Sequence, residues 1–189
     1  MCEAPVFYAT TDGQTQRIAE ALSASLRHHG LESRAIDVAS ADARTFRWDR
    51  TRAVMLGASL HAGRHQSAAA AFVRAHLAAL NARPSVFFSV SLSICSSIPD
   101  DVAAAKRIAQ AFPDDLGWRP LRVVSVGGRL AYTRYGWLKR RMMRSIARRA
   151  GGPTDTSRDH ELTNWDEVRA TAAALAASLQ PRAAAAASA

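Results

Sequence analysis

The chain has only two cysteines, Cys2 and Cys95, far apart and in no metal-ligand spacing. That excludes a disulfide framework and a cysteine zinc site, and it suits a reducing cytoplasm. His61 and His65 share a four-residue spacing, but no acidic or cysteine partner accompanies them, so no metal is expected. No apolar run approaches the roughly 20 residues that a membrane span needs. The apolar run from Val6 is too short for a signal segment and no basic stretch precedes it, so export is not expected. Neither G-x-G-x-x-G nor a Walker A loop occurs, which weakens any dinucleotide or P-loop reading. Acidic residues are missing from one segment altogether. Between Arg134 and Arg149 stand seven basic residues and no acid, and removing those seven from the formal +9 leaves +2 on the rest. The charge therefore points to a local anionic partner rather than to a uniformly basic surface.

What is present fits one domain: 189 residues, 48% of them hydrophobic, are enough to bury a real core. The organising stretch is Val6-Phe7-Tyr8-Ala9-Thr10-Thr11-Asp12-Gly13-Gln14-Thr15. It reads as a buried strand, a tight loop and a helix start. Such a loop leaves backbone N–H groups unpaired at the positive end of a helix dipole, and small side chains let an anion approach them. Thr10, Thr11 and Thr15 add hydroxyls, and the guest that fits is a phosphate monoester. Asp12 is expected to turn outward and cap the helix by accepting from the N–H of Gln14 or Thr15. An ordinary strand-to-helix turn is the alternative.

Downstream, Ile18, Ala19, Leu22 and Leu26 recur at helical spacing until Gly30, and Ala35 to Val38 forms a second strand. Asp37 at its end reads as a turn residue, since no glycine fingerprint precedes it. Phe46 and Trp48 pack an irregular connection on the sheet. Ala53 to Leu56 is a third strand, ending in the small-residue loop Gly57 to His65. Helical spacing resumes from Ala69 to Leu80, and Ser85 to Val90 is a fourth strand, followed by a loop from Ser89 to Ser97. A helix from about Asp100 to Phe112 and a fifth strand, Leu121 to Val126, complete an α/β alternation. That predicts a parallel sheet covered by helices on both faces, with a pocket at the carboxyl ends of strands one, three and four.

After Gly128 the alternation fails for about 35 residues before the last helix, Trp165 to Leu179. Within this insertion a helix from Arg134 to Ala150 places Tyr135, Leu138, Met142 and Ile146 on one side. Arg140, Arg141, Arg144 and Arg148 lie opposite, with Lys139 and Arg149 flanking the stripe. A solvated surface helix explains most charge runs; here the basic, acid-free face favours an anionic membrane surface. Nucleic acid is disfavoured because no recognition motif is evident. Residues 181–189 read as a frayed alanine-rich tail.

These residues resemble the flavodoxin-like, quinone-linked protoporphyrinogen IX dehydrogenases. The resemblance runs through Leu179 and rests on Thr11-Asp12-Gly13-Gln14-Thr15, Gly57-Ala58-Ser59, Phe87-Phe88-Ser89-Val90, Trp118-Arg119-Pro120, Tyr132-Thr133-Arg134-Tyr135 and Gly151-Gly152-Pro153-Thr154-Asp155-Thr156. It implies a single flavodoxin-like domain over residues 1–180, a five-stranded parallel sheet in the order 2-1-3-4-5, and an insertion at about 129–163. The implied activity is FMN-dependent oxidation of protoporphyrinogen IX to protoporphyrin IX in haem synthesis, with electrons passed to a membrane quinone. The enzyme would be cytoplasmic, on the inner face of the plasma membrane. The implied cofactor residues are Thr10, Thr11, Asp12, Gly13, Gln14 and Thr15 at the phosphate. At the flavin ring they are Ala58, Ser59, Leu60, His61, Ala62 and Gly63, with Ser89, Val90, Ser91 and Leu92. Lys139, Arg140, Arg141, Arg144 and Arg148 are assigned to membrane or substrate. Ser91-Leu92-Ser93-Ile94-Cys95-Ser96-Ser97 departs from the basic run that the family carries there. Two other readings stand beside this one: a flavodoxin-type electron carrier or reductase with another substrate, and a cofactor-free module whose basic helix holds nucleic acid.

Overall fold

The computed structural model describes residues 3–180. Cys2 and the alanine-rich residues 181–189 lie outside them. Five strands, β1 (Val6–Ala9), β2 (Ala35–Asp37), β3 (Val54–His61), β4 (Ser85–Ser91) and β5 (Arg122–Gly127), pair in parallel in the order 2-1-3-4-5. The helices are α1 (Gln14–His28), α2 (Ser67–Asn81), α3 (Pro99–Asp115), α4 (Trp137–Arg149) and α5 (Trp165–Ser178). Ala41–Arg44 adds a single turn, too short to leave a periodic signal, that Ser40 caps by accepting from the Ala43 N–H. Asp37 is the turn residue expected of it, its carboxylate accepting from the Ala39 N–H at 2.8 Å.

Strand alternation divides the core into two layers. Val6 and Tyr8 of β1, with Met55, Val86 and Phe88, meet Ile18, Leu22 and Leu26 of α1 and Val168, Ala172 and Leu175 of α5. Phe7 and Ala9, with Val54, Leu56 and Phe87, meet Phe72, Val73 and Leu80 of α2, and Trp118. Each fully buried aliphatic or aromatic side chain here is worth about 1.5–3 kcal/mol. Phe46 and Trp48 close the second layer against Phe7, at ring separations of 5.1 and 5.7 Å.

Two expected loops are instead strand. β3 does not stop at Leu56 but continues to His61, because Gly57 and Ala58 pair with β1 and β4 on either side, Ser59 with β4, and Leu60 and His61 with Arg64–His65. Gly57 is small for packing: a Cβ there would sit 2.0 Å from the Phe88 ring. β3 then reverses through Ala62 and Gly63, both at positive φ, into a two-residue antiparallel strand, Arg64–His65. β4 likewise runs to Ser91, which pairs with Gly127. Both extensions push the carboxyl edge of the sheet further toward the insertion.

The insertion leaves and returns through a short antiparallel ribbon, Arg129–Leu130 against His160–Glu161. Between these lie a 3-10 turn, Tyr132–Arg134, and α4. α4 begins at Trp137, not Arg134, because Tyr135 is drawn inward with Tyr132, Leu130 and Ala147 into a third small core.

Candidate functional site

The phosphate-type loop forms as its sequence suggests, with one exception. Gly13 takes φ 84°, a left-handed conformation that favours glycine, and its N–H donates to Thr10 Oγ1 at 3.0 Å. No side chain caps α1, and no acidic residue stands in its first turn. Thr15 Oγ1 is buried without a hydrogen-bond partner. An orphaned hydroxyl of this kind costs about 1–3 kcal/mol unless a ligand supplies the missing bond. An uncapped helix start, a left-handed glycine and an unpaired buried hydroxyl together fit a phosphate group. The exception is Asp12, which does not cap the helix: its carboxylate pairs with Lys139 Nζ at 3.3 Å, across 127 residues of sequence.

Gln14 also behaves differently from an exposed loop amide. Its side chain is buried and donates to Glu161 Oε1 at 2.8 Å and to Thr163 Oγ1 at 2.9 Å, while its own oxygen accepts from Arg17 at 3.1 Å. Arg17 in turn pairs with Glu161 at 2.9 Å, and Thr163 donates to the Gly127 carbonyl at 2.7 Å. This network fastens the start of α1 to the return strand of the insertion, leaving Gln14 only its backbone N–H for a ligand. Thr11 accepts from Gln66 Nε2 at 3.1 Å, and the same nitrogen donates to Ser59 Oγ, so one amide joins the first loop to β3.

At the other end of the site, Ala58 and Ser59 are buried strand residues, and His61, Ala62 and Gly63 are exposed on the hairpin. Ser89, Val90 and Ser91 are buried in β4, and Leu92 starts the following turn, packed against the insertion's core. His65 pins the hairpin to β4 through Nε2 and Ser89 Oγ, 2.9 Å apart, with its ring 4.7 Å from that of Phe112. Burial lowers its pKa to about 4, so the ring is neutral at physiological pH. Nothing in the sequence singled out His65 for this task, because its partners lie 24 and 47 residues away.

The insertion sits over the phosphate end. Arg134, Tyr135, Gly136 and Lys139 face Thr10, Thr11, Asp12, Gly13 and Gln16 across an open cleft of about 470 Å³. α4 packs inward through Arg140, Met143 and Ala147. Arg140 is therefore not one of the free cations: its guanidinium donates to the carbonyls of Tyr132 at 2.9 Å and Tyr135 at 3.1 Å. Arg141, Arg144 and Arg148 are exposed, and among the described residues no carboxylate pairs with them. The helix also carries four of the five exposed large hydrophobics among the described residues: Trp137 at 78%, Leu138 at 66%, Met142 at 53% and Ile146 at 43%. A monomer has no folding reason to expose these together.

Known proteins bear on this arrangement. The model of a family described as a flavodoxin domain matches residues 5–157. Protoporphyrinogen IX dehydrogenase (quinone) of Escherichia coli strain K12 is 32% identical over 163 residues, covering 86% of this chain and 88% of its own. A protein of the same name from Leishmania major is 31% identical over 180 residues, covering 94% and 77%. Among solved structures, oxidised flavodoxin 1 from Bacillus cereus aligns at 15% identity with a TM-score of 0.57, over 94% of this chain and 99% of its own. That last likeness shows the fold.

Proposed function

Because the chain belongs to the flavodoxin-domain family, in the group of quinone-linked protoporphyrinogen IX dehydrogenases, we propose that it oxidises protoporphyrinogen IX to protoporphyrin IX at bound FMN and passes the electrons to a membrane quinone. FMN, when bound, accepts electron pairs from one partner and releases them to the other. The chain's own task is to hold, orient and shield. The observation that carries the reading is the uncapped start of α1 behind Gly13, with Thr15 Oγ1 left unpaired for a phosphate oxygen. Thr10 through Thr15 hold the phosphate, with Gln14 contributing its N–H. The hairpin from Leu60 to Gly63, braced by His65, and the end of β4 with Leu92 just beyond it border the ring.

α4 brings this site to the bilayer. Among the described residues no helix is long and apolar enough to cross a membrane. Leu138, Met142 and Ile146 dip into the interface instead, while Arg141, Arg144 and Arg148 meet anionic headgroups at about 1 kcal/mol each. In this reading the enzyme works at the inner face of the plasma membrane, where a lipid-soluble quinone is available. The testing experiment is anaerobic oxidation of protoporphyrinogen IX by purified protein carrying FMN, followed by porphyrin fluorescence, with a quinone as sole acceptor. Protein that takes up no flavin, or FMN-loaded protein that leaves the porphyrinogen unoxidised, refutes the reading.

A further inference from the structure

The phosphate loop has an electrostatic problem that it does not solve by itself. Asp12 is the one carboxylate among Thr10 to Thr15, and a bare carboxylate beside a phosphate carrying nearly two negative charges repels it. The remedy comes from the insertion. Lys139 Nζ stands 3.3 Å from Asp12 Oδ1 and 4.5 Å from the centre of the Tyr135 ring, so it is held from two sides. Tyr135 is itself buried, its hydroxyl accepting from the Ala131 N–H at 3.3 Å. Arg134, on the same short segment, lines the cleft opposite Thr10 and Gly13. Both cations precede or open α4, so their positions depend on how α4 is seated through Arg140, Met143 and Ala147.

We propose that the insertion completes the phosphate site: Lys139 cancels the charge of Asp12 and Arg134 faces the phosphate, so that bound FMN and docked α4 hold each other in place. The proposal rests on the FMN reading above and adds two cofactor residues from outside the phosphate loop. It also has a regulatory content, because coupling between two binding events is reciprocal. A chain without FMN lacks the anion that Arg134 faces, and its α4 seats less firmly. A chain loaded with FMN presents α4 in a fixed pose, so attachment to a membrane favours loaded over empty enzyme.

The test titrates flavin-free full-length protein with FMN and, separately, with riboflavin, which has the same ring and no phosphate. Arg134→Ala and Lys139→Ala are each expected to loosen FMN roughly tenfold, the factor for one charge-assisted contact at a partly exposed site. Riboflavin affinity should stay within about twofold. Adding Asp12→Asn to Lys139→Ala should restore most of the lost FMN affinity, because the carboxylate that Lys139 neutralises is then gone. In parallel, FMN but not riboflavin should slow tryptic cleavage at Arg141, Arg144 and Arg148. FMN bound equally by all variants, or riboflavin loosened as much as FMN, overturns the inference while leaving the FMN reading intact. Wild-type protein that binds neither flavin overturns both.

Discussion

Reversing the free charges of α4 separates anchoring from catalysis. The residues to change are Arg141, Arg144 and Arg148, since Arg140, though in the same basic run, holds the carbonyls of Tyr132 and Tyr135 and its loss would unseat the helix. The three chosen arginines have no carboxylate partner among the described residues, so their replacement breaks no ion pair. Each contributes about 1 kcal/mol at an anionic surface, and reversal to Glu both removes the attraction and adds a comparable repulsion. The triple Glu variant should therefore lose roughly 3–6 kcal/mol of attachment, a drop of two orders of magnitude or more in partitioning. Vesicle sedimentation reads this directly. Wild-type attachment to anionic vesicles should also weaken with salt, because the screening length falls from about 10 Å at 0.1 M to about 3 Å at 1 M. FMN content should be normal, as these arginines lie outside the phosphate cleft. Turnover with a water-soluble acceptor should survive while turnover with a bilayer quinone falls. Unchanged vesicle binding with both activities lost in equal measure would refute the anchor and place these arginines against the propionates of the porphyrinogen instead.

Arg140→Ala should destabilise the chain by about 1–3 kcal/mol, since it strips the Tyr135 carbonyl of its donor and leaves the Tyr132 carbonyl only the Tyr135 N–H at 3.3 Å, and urea melts followed by tryptophan fluorescence would measure it. Gly57→Ala puts a methyl into the Phe88 ring and should cost about 1–3 kcal/mol, readable as a lower midpoint in the same melts. His65 sets an acid limb on stability. Its folded pKa lies below its unfolded one, so its contribution is full above about pH 6.5 and is lost as pH falls toward about 4. The loss stays below about 3 kcal/mol because the ring is partly hydrated; His65→Gln, which retains a hydrogen-bonding side chain but does not titrate, should flatten the limb between those pH values.

Much of this fold is legible in the sequence because parallel strands buried on both faces read as apolar runs, and β1, β2, β4 and β5 fall close to their predicted positions. The third strand misleads for a physical reason. Gly57, Ala58 and Ser59 resemble a loop by composition, yet all three pair with β4, and Gly57 is small because the Phe88 ring leaves no room for a Cβ. Asp12 misleads differently. Thr, Asp and Gly before a helix suggest a cap, but the partner that claims its carboxylate, Lys139, arrives from the insertion and leaves no trace nearby in the chain. The same holds for Gln14, whose amide is claimed by Glu161 and Thr163. The amphipathic pattern of α4 is visible in sequence, but not which side faces the body. Tyr135 continues the apolar period yet stays outside the helix, and Arg140 turns inward because two carbonyls await it.

The ribbon Arg129–Leu130 with His160–Glu161 brings both ends of the insertion together at the carboxyl edge of the sheet. Everything between them is a graft on a closed stem. Closing a loop costs entropy that grows only as the logarithm of its length, so the segment hung from this stem can lengthen, shorten or be exchanged at small thermodynamic cost to the sheet beneath. Evolution and protein engineering meet the same opportunity here. One flavodoxin core can carry a different segment between residues 131 and 159, provided that the graft again sets cations where Arg134 and Lys139 stand against the phosphate loop.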